Sequence, residues 1–178
     1  FTEWPKEAMD LNTEKEGEEN ENSELKPPMV IGVVGDNPFE KAFEPLLDKK
    51  IKHRDLKIVL IPGLGDSLKK APDRSQAVER YFKDNEPTLH TCHVLFYCNS
   101  EKNYLAEHLR KVKETSVLTV GDMENFIEQN GIISFVKENN KIRFEIRLNQ
   151  AEKQHLKISS QLLKLARRVI QEKESNDS

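Results

Sequence analysis

Three short polar stretches hold the residues best placed to do chemistry: Gly35-Asp36-Asn37, Cys98-Asn99-Ser100 and Gly121-Asp122. Each follows a short apolar run that reads as a strand. In open α/β sheets, ligands bind beyond the carboxyl ends of the strands, where the strand order reverses. Two Gly-Asp pairs at equivalent strand ends would make a polar pocket there, with Gly35, Asp36, Asn37, Asn99, Ser100, Gly121 and Asp122 as its candidate ligand residues. Helix capping explains the same residues one at a time, since Gly turns the chain and Asp or Asn caps the helix that follows.

Specific chemistries fit these loops poorly. A phosphoacceptor would place Asp at the end of the third strand, where Cys98-Asn99 stands. A phosphate-cradling first loop needs accessible backbone amides, but Pro38 and Phe39 occupy it. Gly63-Leu-Gly65 lacks the third glycine of a dinucleotide fingerprint, Leu68 standing in its place. His90-Thr-Cys92-His93 offers too few ligands for a metal, and strand alternation sends Cys92 and His93 to opposite faces. A Cys–His nucleophile would need a third, orienting group. His53, His108 and His155 read as isolated surface residues. The residues therefore predict no catalytic, cofactor or metal site, and no enzyme.

The elements that must position these loops alternate in kind. Strands are expected at Met29–Val34, Leu56–Ile61, His93–Cys98 and Val117–Val120. Between them lie a helix capped by Asn37 that buries Phe39, Ala42, Phe43, Leu46 and Leu47, and a long loop from Pro62 to Pro72. A helix capped by Asp73 follows, burying Ala77, Val78, Tyr81 and Phe82. Another is capped by Asn99-Ser100, with Tyr104, Leu105, Leu109 and Val112 inward, and a short one is capped by Asp122 and ended by Gly131. Such alternation means an α/β fold: a Rossmann-like, mostly parallel sheet with helices on both faces.

The chain then changes to an antiparallel hairpin. Asn139-Asn140 can take positive φ, as a two-residue hairpin turn requires. That turn sets Lys137 opposite Ile142, Phe135 opposite Phe144 and Ile133 opposite Ile146. Phe135, Ile142, Phe144 and Ile146 then form a core face. Arg143, Glu145 and Arg147, with Ser134 opposite Glu145, form a solvated face and the candidate partner surface. A C-terminal helix capped by Ser159 or Ser160 would carry Leu162, Leu163, Ala166, Val169 and Ile170 as its apolar stripe.

Composition agrees with a polar domain of 178 residues, 36% hydrophobic and 33% charged. Residues 1–28 hold nine acids and three bases, a net −6, so the rest carries +3 of the chain's −3. That body has no basic footprint for nucleic acid, and no apolar run is long enough for membrane insertion. Three parts are expected: residues 1–28, an N-terminal segment with a flexible acidic insertion in which Trp4 anchors the chain; residues 29–172, the α/β domain; and residues 173–178, a polar tail. Cys92 and Cys98 are six residues apart on one strand, roughly 20 Å at full extension, which is beyond disulfide reach.

Several of these stretches together resemble a known family. They are Phe1-Thr-Glu-Trp-Pro, the strand into Gly35-Asp36 with Pro38-Phe39, Cys92-His93-Val-Leu-Phe, Leu118-Thr-Val-Gly-Asp122, Ile133-Ser-Phe-Val, Lys141-Ile-Arg-Phe-Glu-Ile and Leu156-Lys-Ile-Ser-Ser-Gln-Leu-Leu-Lys-Leu-Ala. Over about residues 1–8 and 29–168 they resemble the YfiR family of bacterial periplasmic proteins. The resemblance implies a non-enzymatic periplasmic regulator that represses a membrane-bound diguanylate cyclase by binding its periplasmic sensor domain, and so controls cyclic di-GMP signalling and biofilm formation. It also implies homodimers and, in some members, redox-sensitive disulfides. A further helix is expected ahead of Phe1, together with a removed signal sequence. The alternative reading is a small-ligand sensor domain built on the strand-end loops.

Overall fold

The computed structural model describes residues 2–5, 27–39, 50–51 and 54–171. The acidic insertion, the polar tail, His53 and most of the helix expected after Asn37 lie outside the described residues.

Nine strands are described. β1 (Thr2–Glu3) pairs with β8 (Lys157–Ile158) as a small antiparallel ribbon. The remaining seven are β2 (Met29–Val34), β3 (Leu56–Ile61), β4 (Val94–Tyr97), β5 (Leu118–Gly121), β6 (Ile133–Glu138), β7 (Lys141–Arg147) and β9 (Arg168–Ile170). They form one sheet in the order β3-β2-β4-β5-β6-β7-β9. β3, β2, β4, β5 and β6 are mutually parallel, β7 returns antiparallel to β6, and β9 runs parallel to β7. The hairpin thus continues the sheet, and its first strand is a fifth parallel one.

The central strands are apolar at nearly every position because both faces of a parallel sheet are covered. Alternate residues feed two separate cores. Val34, Leu95 and Tyr97 pack with Tyr81, Phe82, Leu105 and Val112 on one face. Val33, Phe96 and Cys98 pack with Ile133, Ile146, Ala151 and Leu156 on the other. The first core is roofed by α1 (Leu64–Lys69), α2 (Arg74–Thr91) and α3 (Leu105–Val112), the last preceded by a 3-10 segment, Asn99–Tyr104. The second is covered by α4 (Leu148–Lys153) and α5 (Ser160–Leu165). Trp4 belongs to this second core and donates from Nε1 to the His93 carbonyl at 3.2 Å, the anchor expected of it.

Local signals hold where they are local. Asp73 caps α2 by accepting from the Ser75 and Gln76 amides, and Ser159 caps α5 by accepting from Leu162. The hairpin register is the expected one at every pair, and Asn139 and Asn140 have φ of 48° and 58°, the geometry of a type I′ turn.

Other expectations need correction. Residues 62–72 are not all loop, because Leu64–Lys69 is helical. Residues 124–130 form successive turns rather than a helix. They close with the amides of Asn130 and Gly131 returning to Ile127 and Phe126, and Asn130, not Gly131, takes the left-handed position with φ 72°. The C-terminal helix stops at Leu165, and Val169 and Ile170 lie in β9 instead of on its stripe. Spacing alone cannot separate a short β-branched strand from the end of a helix.

Candidate functional site

The strand order reverses between β2 and β4, so the crevice of an open sheet belongs at Gly35 and Cys98. The structure brings most of the expected residues to that point. The Asp36 amide donates to Ser100 Oγ at 3.0 Å, and the Cys98 amide donates to the Val34 carbonyl. Asn37 Oδ1 accepts from the Phe39 amide at 3.0 Å, turning the chain so that Phe39 meets Phe96 edge-on with ring centroids 4.8 Å apart. Asn99 and Ser100 do not cap α3 as expected. Asn99 is exposed at the start of the 3-10 segment, and the Ser100 hydroxyl serves Asp36.

The crevice is occupied from within by Glu101, a residue that sequence reading passed over. Glu101 is 2% exposed. Its Oε2 accepts from the Leu64 amide at 2.9 Å and lies 2.9 Å from His108 Nε2. His108 is fully buried, contrary to the surface position expected for it, and the rings of Tyr81, Phe82 and Tyr97 surround it. A Cβ on Gly35 would come within 2.9 Å of Glu101 Cγ, and one on Gly63 would strike the carboxylate. Gly35 also has φ +92°, which only glycine adopts without strain. The two glycines are therefore the space in which Glu101 sits. With both side chains out of solvent, Glu101 and His108 tie the loops after β3 and β4 together.

The signal for His108 was present. Leu105, His108, Leu109 and Val112 fall at i, i+3, i+4 and i+7, one continuous helical stripe facing the core.

Gly121 and Asp122 end the neighbouring strand. Gly121 is buried and, with Gly131, leaves room for the Phe126 ring. Asp122 is exposed, yet partial desolvation lifts its carboxyl above the usual range. Cys98 lies among these loops. Burial, then the charges of Asp122, Glu101 and Asp36, pushes its thiol up to about 12. Cys92 is raised to about 11 by burial. Both are free, buried thiols, and burial of this kind disfavours the reactive thiolate.

The partial His/Cys cluster disperses. His90 Nε2 contacts the Lys111 carbonyl, Cys92 Sγ donates to the Thr88 carbonyl, and His93 Nδ1 accepts from the Val30 amide. Among the described residues, no group of three His, Cys, Asp or Glu could hold a metal.

The hairpin surface is the largest correction. Ser134, Glu145 and Arg147 are buried, leaving Arg143 as the exposed member of the expected partner face. β9 is the reason. It lies against β7 with Arg168 opposite Glu145, and Arg168 donates to Glu145 Oε2 from Nη2 at 2.6 Å and from Nε at 3.0 Å. Arg147 donates to Asn130 Oδ1 at 3.2 Å. Conversely, Ile142 is 70% exposed and Phe135 37%, so neither is core. β5 pairs with β6 only at Ile133 and Ser134, so the hairpin extends past its neighbour and its outer residues lie beyond the packed sheet. Phe144 is half-buried and Ile146 fully buried, as expected of the inner end.

With this geometry established, comparison with known proteins is specific in one respect and general in another. No curated protein matches the chain. A conserved domain protein from Vibrio cholerae superposes with TM-score 0.53 at 13% identity, over 80% of this chain and 55% of that one. The ABC domain from Streptococcus pneumonia, in complex with L-Trp, gives 0.54 at 11% identity, over 79% and 55%. The chain thus spans about half the length of these structures, and at such identities the likeness is one of fold. The family model described as YfiR/HmsC-like matches residues 1–167, which includes the Trp4 anchor, the strand-end loops, the hairpin and α5. The chain belongs to the YfiR/HmsC-like family.

Proposed function

We propose that this chain is a non-enzymatic periplasmic regulator that represses a membrane-bound diguanylate cyclase by binding the cyclase's periplasmic sensor domain. Cyclic di-GMP output and biofilm formation would then follow its release. Membership of a family that is regulatory and in general non-catalytic supports the class of function. Among the described residues no helix is long and apolar enough to cross a membrane.

The projecting hairpin is the observation that carries the choice of surface. Phe135 and Ile142 lie on one of its faces, and Val169, paired with Ile146, shares that face at 39% exposure. Arg143 lies exposed on the other face. A partner that grips the hairpin tip would meet an apolar side and a cationic side. The strand-end crevice, the basis of the ligand-sensor alternative, is filled by Glu101, and this favours the surface reading.

Ile142→Asp and Arg143→Glu test it. Little stability rests on these exposed side chains, so the free energy of unfolding should stay within about 0.5 kcal/mol of wild type. Binding to the cyclase's periplasmic domain should weaken at least about tenfold, with loss of repression in cells. Unchanged binding and repression in the double variant would remove the hairpin from the interface.

A further inference from the structure

A second concavity lies away from the strand-end crevice, beside α3 and α4, with a volume of about 380 Å³. Arg110 and Lys113 line it from the end of α3 and Lys153 from the end of α4. Asn130, Gln150 and Gln154 add carboxamides, and no Asp or Glu lines it.

Cations often sit at helix C-termini, where the last carbonyls carry roughly half a negative charge. Two helix ends offset about one of the three charges, which leaves a surplus of about two. Lys113 has Glu114 at 3.4 Å, but that pair is 59% and 85% exposed, so solvent screens it. Arg110 and Lys153 have no ion pair among the described residues. Gln154 is an independent observation. It is 2% exposed, and its Nε2 donates to the Val112 carbonyl at 2.6 Å. Its Oε1 is buried and accepts from no donor among the described residues. A buried carbonyl oxygen left unpaired asks for a donor.

We propose that this cleft binds a small anion that also carries hydroxyl donors, of the sugar-phosphate class. The three cations would take the phosphate, and the hydroxyls would meet the accessible carboxamides of Asn130 and Gln150, with Gln154 Oε1 beneath them reached by a small shift of the lining side chains. Inorganic phosphate alone would leave most of the volume unfilled. Neutral sugars would leave the charge unmet. This site is independent of the hairpin and of the cyclase reading.

The test is a titration of the isotope-labelled chain with glucose 6-phosphate, followed by amide chemical shifts at fixed ionic strength. Glucose and inorganic phosphate are the controls. Saturating shifts are expected at Asn130, Gln150 and Gln154, with affinity at least about tenfold above either control. Arg110→Ala with Lys153→Ala, both at exposed positions, should weaken binding about tenfold or more and leave the melting midpoint unchanged. Shifts that fail to saturate, that appear equally with glucose or inorganic phosphate, or that persist in the double variant would overturn the proposal.

Discussion

His93 shows how one side chain can make the sheet sensitive to pH. Its Nδ1 accepts from the Val30 amide at 3.1 Å, a role that only an unprotonated nitrogen can fill. Burial, and then the charge of Arg54, lower its pKa from 6.5. A folded value below the unfolded one means that folding favours neutral imidazole. The stabilisation is therefore complete above the unfolded value and is lost as pH falls through the lower, folded one. The melting midpoint should drop as pH falls below about 6.5, and His93→Gln, which keeps an acceptor that does not titrate, should flatten that slope. An equal slope in the variant would assign the effect to other groups. Residue roles that depend on near neighbours were legible in the sequence, as the caps Asp73 and Ser159 show. Glu101 and His108 were not, although His108 lies on the apolar stripe of α3 and Glu101 stands seven residues before it. The Leu64 amide that holds the other side of Glu101 comes from a distant segment and leaves no mark in the local pattern.

At the scale of elements, the hairpin was legible because turn chemistry and alternation agree on a single register. Its burial was not, because register says which residues share a face and not what covers that face. β9 was hidden for a related reason: Arg168-Val169-Ile170 continues the helical spacing of α5, and only pairing with β7 makes it a strand. That pairing is what buries Glu145 and Arg147. The turn gives a direct check. Asn140 sits at φ 58°, where a β-branched residue is strained, so Asn140→Val should cost about 1–2 kcal/mol in denaturant unfolding and Asn140→Gly should be close to neutral. Equal stabilities for the two variants would mean that the turn does not hold this geometry in solution.

For the whole molecule, alternation of strands and helices was enough to give the parallel sheet, and two-sided burial of β2 and β4 follows from their unbroken apolar sequence. The order in which strands lie side by side was not readable, since it depends on contacts between distant segments. That order places an opening beside β2, and Gly35 and Gly63 line it as a mould around one carboxylate. Glu101→Ala would empty the mould and leave the Leu64 amide and His108 Nε2 facing a vacancy, at a cost of about 3 kcal/mol. Acetate should then act as a chemical rescue, raising the melting midpoint of the variant more than that of wild type; an equal response would show the space had collapsed. The chain already carries, covalently attached, the kind of small acid that its topology invites.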